Sequence, residues 1–390
     1  MVNKKIKLII FPGYFLPHIG GLETHIDEFT KYLSKNKKYD ITIFVPNIPL
    51  SSETEIIHSN VKIIRYPAFE AVSNFPVPKF WSLKFWKLFF SLYGDNFDLV
   101  MTRTRFFTNS FLGLVFAKFK LWNREKLIHV EHGSSYVKVE SSFTNFISKV
   151  YDNIFGRMIF KFSDKNISIS NAVWNFVQKF DTRDSPIIRR GVDFDIYSNN
   201  INYKLDYSGK TIISFVGRLY KWKGVENSIK AFLSLSAKIR KNCVFVIVGD
   251  GEDFDRLSDL CGDELNKSIF MLGNLKFSDA IDVLKQTDIY VHSAYAGGGL
   301  SNSLLQAMYC SCAIVASPNE GANEVVSDGV NGVLLTDNSV ESLSSGLKEL
   351  VLDSSLMGKY SICAKDTLEK DFDWRVVVEK YEKVFDEVLK

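Results

Sequence analysis

Residues 212–224 read IISFVGRLYKWKG, a short apolar run followed directly by a basic loop with a glycine at each end. Apolar runs of four to six residues without strict polar alternation are typical of strands that a parallel sheet buries on both faces. This stretch therefore predicts a buried strand, 212–216, whose carboxyl end presents Arg218 and Lys223 on the loop that follows.

The same arrangement repeats along the whole chain, because short apolar runs alternate with longer helical patterns. The twelve predicted strands are 6–11, 40–45, 61–65, 98–101, 127–131, 165–169, 212–216, 243–248, 268–272, 288–292, 313–317 and 332–335. Strand–helix alternation repeated twice predicts an α/β protein with two Rossmann-like, doubly wound parallel-sheet domains facing across a cleft. A stretch without periodicity near 192–210 marks the boundary, so we expect domains over residues 1–195 and 205–372.

Composition excludes several other classes of protein. The 390 residues fit two domains, and 46% hydrophobic with 24% charged residues is an ordinary globular balance. A formal charge of +3 is too weak to indicate a nucleic-acid partner. Five cysteines without zinc or redox spacing favour a reduced, cytoplasmic compartment. The apolar run 8–11 stops at Pro12, too early for a secretory signal, and no stretch is long enough to span a membrane.

Two loops after predicted first strands have the composition of anion sites. Gly20 and Gly21 precede a helical pattern, and the N-terminus of a helix offers free N–H groups to a phosphate. In the second loop, Arg218 and Lys223 would neutralise a diphosphate without a metal ion. The alternatives are a tight turn at the glycines and a solvated basic loop.

A third loop, 295–308, carries three glycines before Ser301 and Asn302 at the start of a helical pattern. It is a further candidate for an anion site formed by a loop and a helix N-terminus. The alternative is that Ser303 and Gln306, which have capping-box spacing, only cap the helix.

Taken together, these segments resemble retaining glycosyltransferases of family 4, which have the two-domain GT-B fold. The resemblance covers nearly the whole chain and rests on motifs in a fixed order: Gly20-Gly21-Leu22-Glu23, Glu131-His132-Gly133, Arg190-Gly191-Val192-Asp193, Gly217-Arg218 with Lys223-Gly224, Gly249-Asp250-Gly251-Glu252, Gly299-Leu300-Ser301-Asn302, and Gly321 to Glu324 with Asp328-Gly329 and Asn331-Gly332. It implies a nucleotide-sugar-dependent hexosyl-type transferase. It also implies that a C-terminal helix, 373–390, packs back on the first domain.

The resemblance also implies roles for individual residues. Arg218 and Lys223 would clasp the diphosphate of the nucleotide sugar, and His132 would contact the transferred sugar; these three are the predicted catalytic residues. The other predicted donor-site residues are Gly20, Gly21, Gly273, Asn274, Gly298, Gly299, Leu300, Ser301, Asn302 and Gln306. The nucleotide sugar is a co-substrate, and we expect no cofactor and no metal.

The chain departs from the family pattern at one pair of positions. The family usually carries two glutamates separated by seven residues, and here those positions are Gly298 and Gln306. Gly298 has no side chain to bind the donor sugar, whereas Gln306 keeps a neutral acceptor for ribose hydroxyls. The alternative to an active, divergent enzyme is a pseudo-glycosyltransferase that acts as a partner subunit. A dinucleotide-dependent oxidoreductase is disfavoured because no G-x-G-x-x-G follows the first strand.

Residues 76–93, PVPKFWSLKFWKLFFSLY, mix aromatic and basic residues. Trp and Phe beside lysines suit a helix at a membrane interface, and the predicted membrane-facing residues are Lys79, Trp81, Lys84, Trp86 and Lys87. A second basic-aromatic stretch spans 143–165; the alternative is that both are core helices. Because the N-terminal domain binds the acceptor in this family, we expect a lipid-linked glycan acceptor. We also expect a peripheral location at the inner face of the membrane and a role in cell-surface polysaccharide or glycan assembly.

Overall fold

The computed structural model describes residues 5–72, 75–119, 125–136, 148–194, 200–207, 209–295, 300–319 and 321–390. The chain forms two compact units, Met1–Gly191 with Trp374–Lys390, and Val192–Asp373. Among the described residues, no helix combines the length and the apolar character needed to cross a membrane.

The first unit is built on a seven-stranded sheet of order β3-β4-β2-β1-β7-β8-β9, with a separate β5–β6 hairpin. All neighbours in the sheet are parallel except β3 and β4. The strands are β1 Ile6–Phe11, β2 Tyr39–Pro46, β3 Thr54–Ile57, β4 Val61–Tyr66, β5 Ala68–Val72, β6 Phe75–Pro78, β7 Leu99–Arg103, β8 Lys126–Glu131 and β9 Lys165–Ser168.

Helices cover both faces of this sheet. They are α1 Gly21–Ser34, α2 Leu83–Ser91, α3 Thr108–Lys118, α4 Arg157–Phe162 and α5 Asn171–Val177, with a 3-10 turn at Leu92–Asp95 and a π-helical turn at Asp152–Gly156. Successive side chains of a strand point to opposite faces. Leu8 and Ile10 therefore pack in the core that contains α1, whereas Ile9 and Phe11 pack in the core under α2 and α3.

The second unit is built on a six-stranded, wholly parallel sheet of order β12-β11-β10-β13-β14-β15. Its strands are β10 Thr211–Val216, β11 Cys243–Val248, β12 Ile269–Met271, β13 Ile289–His292, β14 Ala313–Ala316 and β15 Val333–Leu334. Its helices are α6 Val225–Ser234, α7 Ala237–Arg240, α8 Phe254–Cys261, α9 Phe277–Lys285, α10 Asn302–Tyr309, α11 Ala322–Val325, α12 Val340–Leu352 and α13 Ser354–Asp371, with 3-10 turns at Lys221–Lys223 and Gly262–Glu264.

The last helix, α14 Trp374–Leu389, belongs to the first unit and packs beside α1. Its apolar stripe lies in the same core as Phe29 and Tyr39; the buried residues of the stripe are Trp374, Val377, Val378, Tyr381, Val384, Phe385 and Val388. Gly191 lies against Trp374 so closely that a Cβ on the glycine would stand 2.3 Å from the indole ring.

The unit boundary falls after Gly191, before most of the stretch without periodicity. The described part of that stretch is held on the second unit, because Asp282 accepts the N–H groups of Asn202 and Tyr203 and Gln286 accepts that of Leu205. These anchors lie on α9 and at the residue that follows it, about 80 residues further along the chain, so local sequence could not indicate them.

Both sheets reverse their strand order at one point, which fixes where loops meet. In the first unit the switch lies between β1 and β7, and in the second between β10 and β13. In open α/β sheets ligands bind outside the carboxyl ends of the strands at this switch point. The architecture confirms the prediction of two doubly wound α/β domains, and each of the twelve predicted strands is present. The strands β3, β5 and β6 were not predicted.

Candidate functional site

A cavity of about 650 Å³ lies at the carboxyl edge of the second sheet. It is formed by the loops after β10, β11 and β12, and its lining residues are Val216, Gly217, Arg218, Tyr220, Val248, Gly249, Asp250, Gly251, Asn274, Leu275 and Ala280. The cavity therefore contains two of the predicted donor-site residues, Arg218 and Asn274, together with Asp250 and Tyr220, which were not singled out as site residues.

The floor of this cavity depends on a close approach of two loops. Gly249 has φ +138°, and a Cβ there would lie 1.8 Å from the carbonyl oxygen of Gly217. The Gly249 N–H donates to the carbonyl of Gly273 at 2.8 Å, which ties the loop after β12 to the same edge. Only glycine fits at position 249, since a side chain would collide with backbone.

Arg218 is exposed at the cavity and has little to hold it there. Its Nη1 donates to the Tyr220 hydroxyl at 3.3 Å, and its guanidinium lies 6.0 Å from the Tyr220 ring. Among the described residues it has no carboxylate in an ion pair. Its five N–H donors match the geometry of a diphosphate, so this side chain can bind an anion that enters the cavity.

Lys223 stands at the other end of the same loop, against the end of β13. Ser293 Oγ donates to its backbone carbonyl at 2.9 Å, and the ammonium lies 4.4 Å from the centre of the Trp222 ring. The side chain is half-buried, and this burial lowers the pKa of Lys223. Arg218 lines the cavity itself, whereas Lys223 lies beside the segment that leads toward α10.

His292 is buried next to this lysine and its tautomer is fixed by the backbone. Asn319 donates from Nδ2 to the carbonyl of Ala294 at 2.7 Å, and its Oδ1 accepts the N–H of Ala322 at 2.9 Å. The amide orientation is thereby set, so the contact from Asn319 Nδ2 to His292 Nε2, 3.0 Å, makes Nε2 the acceptor. Burial and the charge of Lys223 lower the pKa of His292 to about 4, so the imidazole is neutral at physiological pH.

The start of α10 differs from the capping-box interpretation. The residue before the helix is Ser301, and Ser303 Oγ accepts the buried Tyr290 hydroxyl at 2.9 Å and contacts Ser301 Oγ at 3.2 Å. The capping box of Ser303 and Gln306 is therefore wrong, because Ser303 is engaged with the adjacent strand β13. Gln306 is half-buried, as is Leu300. Gly298 and Gly299 lie outside the described residues, and Asn302 is exposed on the first turn of α10.

In the first unit, the loop after β8 is organised by Glu131. Its Oε1 accepts the N–H groups of His132 at 2.9 Å and Gly133 at 2.6 Å, which fixes the backbone that presents the His132 ring. Its Oε2 accepts the N–H of Arg105 at 3.2 Å and lies 3.2 Å from His129 Nε2. Burial would raise the pKa of Glu131, but Arg105, His129 and the Gly133 N–H together lower it to about 2.

The predicted catalytic residue His132 is partly exposed, yet its Nε2 is buried and has no hydrogen-bond partner among the described residues. Burial and the neighbouring charge of Arg103 lower the pKa of His132 to about 3. The ring is therefore neutral at physiological pH and can exchange hydrogen bonds with a sugar hydroxyl, but it is not a charged acid there.

The predicted phosphate loop at Gly20 and Gly21 has a carboxylate in place. Glu23 lies so close that a Cβ on Gly20 would stand 2.4 Å from its Oε2, and its Oε1 pairs with His18 Nδ1 at 3.0 Å. A carboxylate near the first turn of a helix stabilises that end electrostatically and disfavours a second anion. The role of the two glycines at a phosphate stays a prediction.

The five predicted membrane-facing residues are exposed or partly exposed, and other residues of the same segment form its buried side. Phe85 and Phe89 of α2 are buried, whereas Trp81, Leu83 and Phe90 are 71%, 88% and 59% exposed. Trp86 is partly exposed and donates to the carbonyl of Phe80 at 2.8 Å. Lys84 pairs with Glu53, Lys87 is exposed and Lys79 is half-buried. The second stretch, 143–165, lies partly outside the described residues, and within it Ile154 and Phe162 are exposed.

Comparison with known families defines the class of protein that this fold and site represent. The model of Glycosyltransferase Family 4 matches residues 19–196, and that of Glycosyl transferases group 1 matches residues 199–367. The chain belongs to the family 4 glycosyltransferases and has the GT-B fold. It is 51% identical over 391 residues to the uncharacterised glycosyltransferase MJ1069 of Methanocaldococcus jannaschii, covering 99% of this chain and 100% of that protein.

More distant relatives include enzymes with named substrates. The N,N'-diacetylbacillosaminyl-diphospho-undecaprenol α-1,3-N-acetylgalactosaminyltransferase of Campylobacter jejuni is 25% identical over 392 residues, with 96% of this chain and 98% of that enzyme covered. Among solved structures, Anabaena Alr3699/HepE in complex with UDP has a TM-score of 0.72 at 17% identity, covering 98% and 100% of the two chains. A glycosyltransferase from Rickettsia africae has a TM-score of 0.71 at 22% identity, covering 100% and 99%. Both structures share the fold.

Proposed function

We propose that this glycosyltransferase transfers a sugar from a nucleotide-diphosphate sugar to a lipid-linked glycan, with retention of anomeric configuration. The observation that carries the proposal is the cavity at the carboxyl edge of the second sheet, with Arg218 exposed in it. The side chain is a cation beside a cavity of the size that a nucleotide needs. The complex of Anabaena Alr3699/HepE with UDP supports a nucleotide as its occupant.

The reaction needs stabilisation of negative charge more than a protein nucleophile. As the bond between the sugar C1 and the phosphate oxygen breaks, the sugar becomes oxocarbenium-like and the diphosphate gains negative charge. Arg218 and Lys223 would stabilise that charge. The leaving phosphate oxygen would take the proton of the acceptor hydroxyl as the oxygen of that hydroxyl forms the new bond to the sugar C1. His132, neutral at working pH, would hold a hydroxyl of the sugar. Neither a cofactor nor a metal ion is part of this proposal.

The lipid-linked acceptor is supported by two features. The first is the undecaprenol-linked substrate in the name of the Campylobacter jejuni relative. The second is a direct structural connection in the first unit. In the β5–β6 hairpin, Phe69 packs on Trp81 with ring centroids 5.2 Å apart, and the next residue, Glu70, accepts the Tyr14 hydroxyl at 2.5 Å. Trp81, which is 71% exposed, is thus connected through the hairpin to the loop after β1. By the family resemblance, Gly20 and Gly21 on that loop would lie near the phosphates or the acceptor.

The substitution Arg218→Ala tests the donor site. We expect a fall in turnover of about tenfold or more, since a charged hydrogen bond contributes about 1.5–3 kcal/mol, with the melting temperature nearly unchanged because the side chain is exposed. Turnover would be measured as release of nucleoside diphosphate from a panel of nucleotide sugars with a membrane lipid extract. Arg218→Lys keeps the charge but lacks the planar guanidinium, so its turnover should lie between those of wild type and Arg218→Ala. Normal turnover in Arg218→Ala would remove this residue from the site.

The acceptor is tested by supplying one glycan in two forms, linked to a polyprenyl diphosphate and freed from it. We expect transfer to the lipid-linked form, with NMR of the product showing an α-linkage when an α-linked donor is used. Equal transfer to the free glycan would contradict the lipid requirement, and an inverted linkage would contradict retention.

A further inference from the structure

Arg103, the last residue of β7, is a buried cation that pairs with no carboxylate among the residues that the structure describes. It is 1% exposed, and within the described part of the chain its Nε and Nη2 have no hydrogen-bond partner. Its guanidinium lies 4.7 Å from the Phe29 ring and 6.0 Å from the Tyr381 ring. Arg105, two residues later, is instead paired with Glu131 and Asp152. A buried charge without a counter-charge is costly, so Arg103 is an unusual feature of this core.

The side-chain hydrogen bond of Arg103 goes to a histidine, and it decides the chemistry of that ring. Arg103 Nη1 stands 3.0 Å from His25 Nδ1. A guanidinium is only a donor, so His25 Nδ1 accepts and the proton of its imidazole resides on Nε2. The neutral form of His25 is required, because protonation at Nδ1 would set two donors against each other.

His25 in turn lies directly behind His132. The two rings are 5.1 Å apart at 73°, edge to face, and Trp374 covers His25 from another side at 5.2 Å. The Nε2 atoms of both histidines are buried and have no hydrogen-bond partner in the part of the chain that the structure describes. Arg103, His25 and His132 therefore form a chain of contacts from the end of β7, through α1, to the loop after β8.

Several charged and titratable groups face His132. They are Arg103 from β7, His129 and Glu131 from β8, His25 from α1, and Arg190 near the unit boundary. Glu131 favours a charged imidazole, but its carboxylate is engaged with Arg105. Arg190 is partly neutralised by Glu28 at 3.3 Å. Arg103 is the nearby charge without such a partner among the described residues.

We propose that Arg103 is a positioning residue for the transfer reaction, fixing the His25 ring behind His132 and keeping the His132 imidazole uncharged. This rests on the proposed role of His132 at the sugar. A neutral ring places no positive charge against a sugar that becomes oxocarbenium-like, while Arg103 itself stays one ring further away, behind His25. A neutral imidazole also keeps one acceptor and one donor for sugar hydroxyls.

The test is a titration of the histidines by proton–nitrogen NMR in full-length protein labelled with ¹⁵N-histidine. In wild type we expect His25 with an unprotonated Nδ1, and His132 uncharged down to pH 5. In Arg103→Met the midpoint of the His132 titration should rise by about one pH unit or more, and in Arg103→Lys it should stay near wild type. Arg190→Met, which removes a partly neutralised charge, should give a smaller rise.

Activity supplies a readout that a purely structural role would not move. The acid limb of the pH profile of kcat/KM should shift upward in Arg103→Met and not in Arg103→Lys. An unchanged His132 titration in folded Arg103→Met would overturn the proposal. A protonated Nδ1 on His25 in wild type would overturn it even if Arg103→Met fails to fold. The titration needs no substrate, so it tests the contacts of Arg103, His25 and His132 separately from the proposed function. If the NMR result is as expected but the protein transfers no sugar, the proposed function is refuted and the chain of contacts is not.

Discussion

Arg105 and Glu131 form an ion pair in which both side chains are fully buried, with Nη1 3.1 Å from Oε1. Arg105 also donates to Asp152 at 2.9 Å, and His129 Nε2 lies 3.2 Å from the Glu131 carboxylate. This network joins the ends of β7 and β8 and sets the backbone of the loop that carries His132. The position of one predicted catalytic residue therefore depends on a network of buried charges.

The stability of this network should depend on pH. The pKa of Glu131 is about 2 in the folded protein against an ordinary value of 4.5, so Glu131 stabilises the fold above about pH 4.5 and this contribution is lost as the pH falls toward 2. Asp152 changes stability in the opposite direction with pH, because burial raises the pKa of its carboxyl group. We expect Glu131→Gln to be less stable by about 3 kcal/mol at pH 7 and to lose less stability than wild type between pH 5 and pH 3.

Thermal or urea unfolding at several pH values would measure this difference. The exposed Glu349→Gln on α12 is the matched control and should follow the wild-type curve. Parallel curves for wild type and Glu131→Gln would mean that the carboxyl of Glu131 is not held at a lowered pKa.

The two lysines of the 3-10 turn after β10 should differ in donor binding. Lys223 is half-buried against the end of β13, whereas Lys221 is exposed. We expect Lys223→Ala to weaken nucleoside diphosphate binding about tenfold or more, and Lys221→Ala to change it little. Because burial lowers the pKa of Lys223, binding should weaken with rising pH earlier than an ordinary lysine would allow. Calorimetric titration with UDP and GDP gives both results; equal effects of the two substitutions would contradict the assignment.

A methyl group at position 249 should push apart the loops after β10 and β11, which form the floor of the cavity. Gly249 has φ +138°, and its Cβ would lie 1.8 Å from a backbone oxygen, so Gly249→Ala should destabilise the protein by about 1–3 kcal/mol and reduce nucleotide binding. Gly358→Ala, on α13 with open space around its Cβ, should instead stabilise by about 0.5–1 kcal/mol. Denaturant unfolding of the two variants checks both signs. An unaltered nucleotide affinity in Gly249→Ala would show that the donor does not bind in this cavity.

The sequence predicted the central strands well, because parallel strands buried on both faces are continuous apolar runs. Strand β3 was not predicted because its four residues are largely exposed at the sheet edge. The β5–β6 hairpin was not predicted because it contains two prolines, which are uncommon in strands. The glycine loops were predicted because strand–loop–helix order is local.

The buried charges were not predicted, since their contacts are not local. Arg103 and His25 are 78 residues apart, and Arg105 and Glu131 are 26 apart. They meet only because β7 lies between β1 and β8 in the sheet. Likewise, the spacing of Ser303 and Gln306 favoured a cap, whereas Tyr290 from the adjacent strand engages Ser303. The two arginines at the end of β7, Arg103 and Arg105, are a local signal that this buried strand end carries charge.

The exposed face of α2 should bind an anionic membrane. Leu83, Trp86 and Phe90 are three, four and seven residues apart and share one stripe with Lys87, while Phe85 and Phe89 fill the core beneath. A lysine near an anionic surface contributes about 1 kcal/mol, and the apolar side chains add their buried area. We expect wild type to co-sediment with phosphatidylglycerol-containing vesicles at low salt, and the double variant Leu83→Ser with Phe90→Ser to lose most of this binding without a change in melting temperature.

Ile362→Ser, which removes a similarly exposed apolar side chain from α13 in the second unit, should bind as wild type does. Co-sedimentation of the double variant at the wild-type level would exclude α2 as the membrane surface.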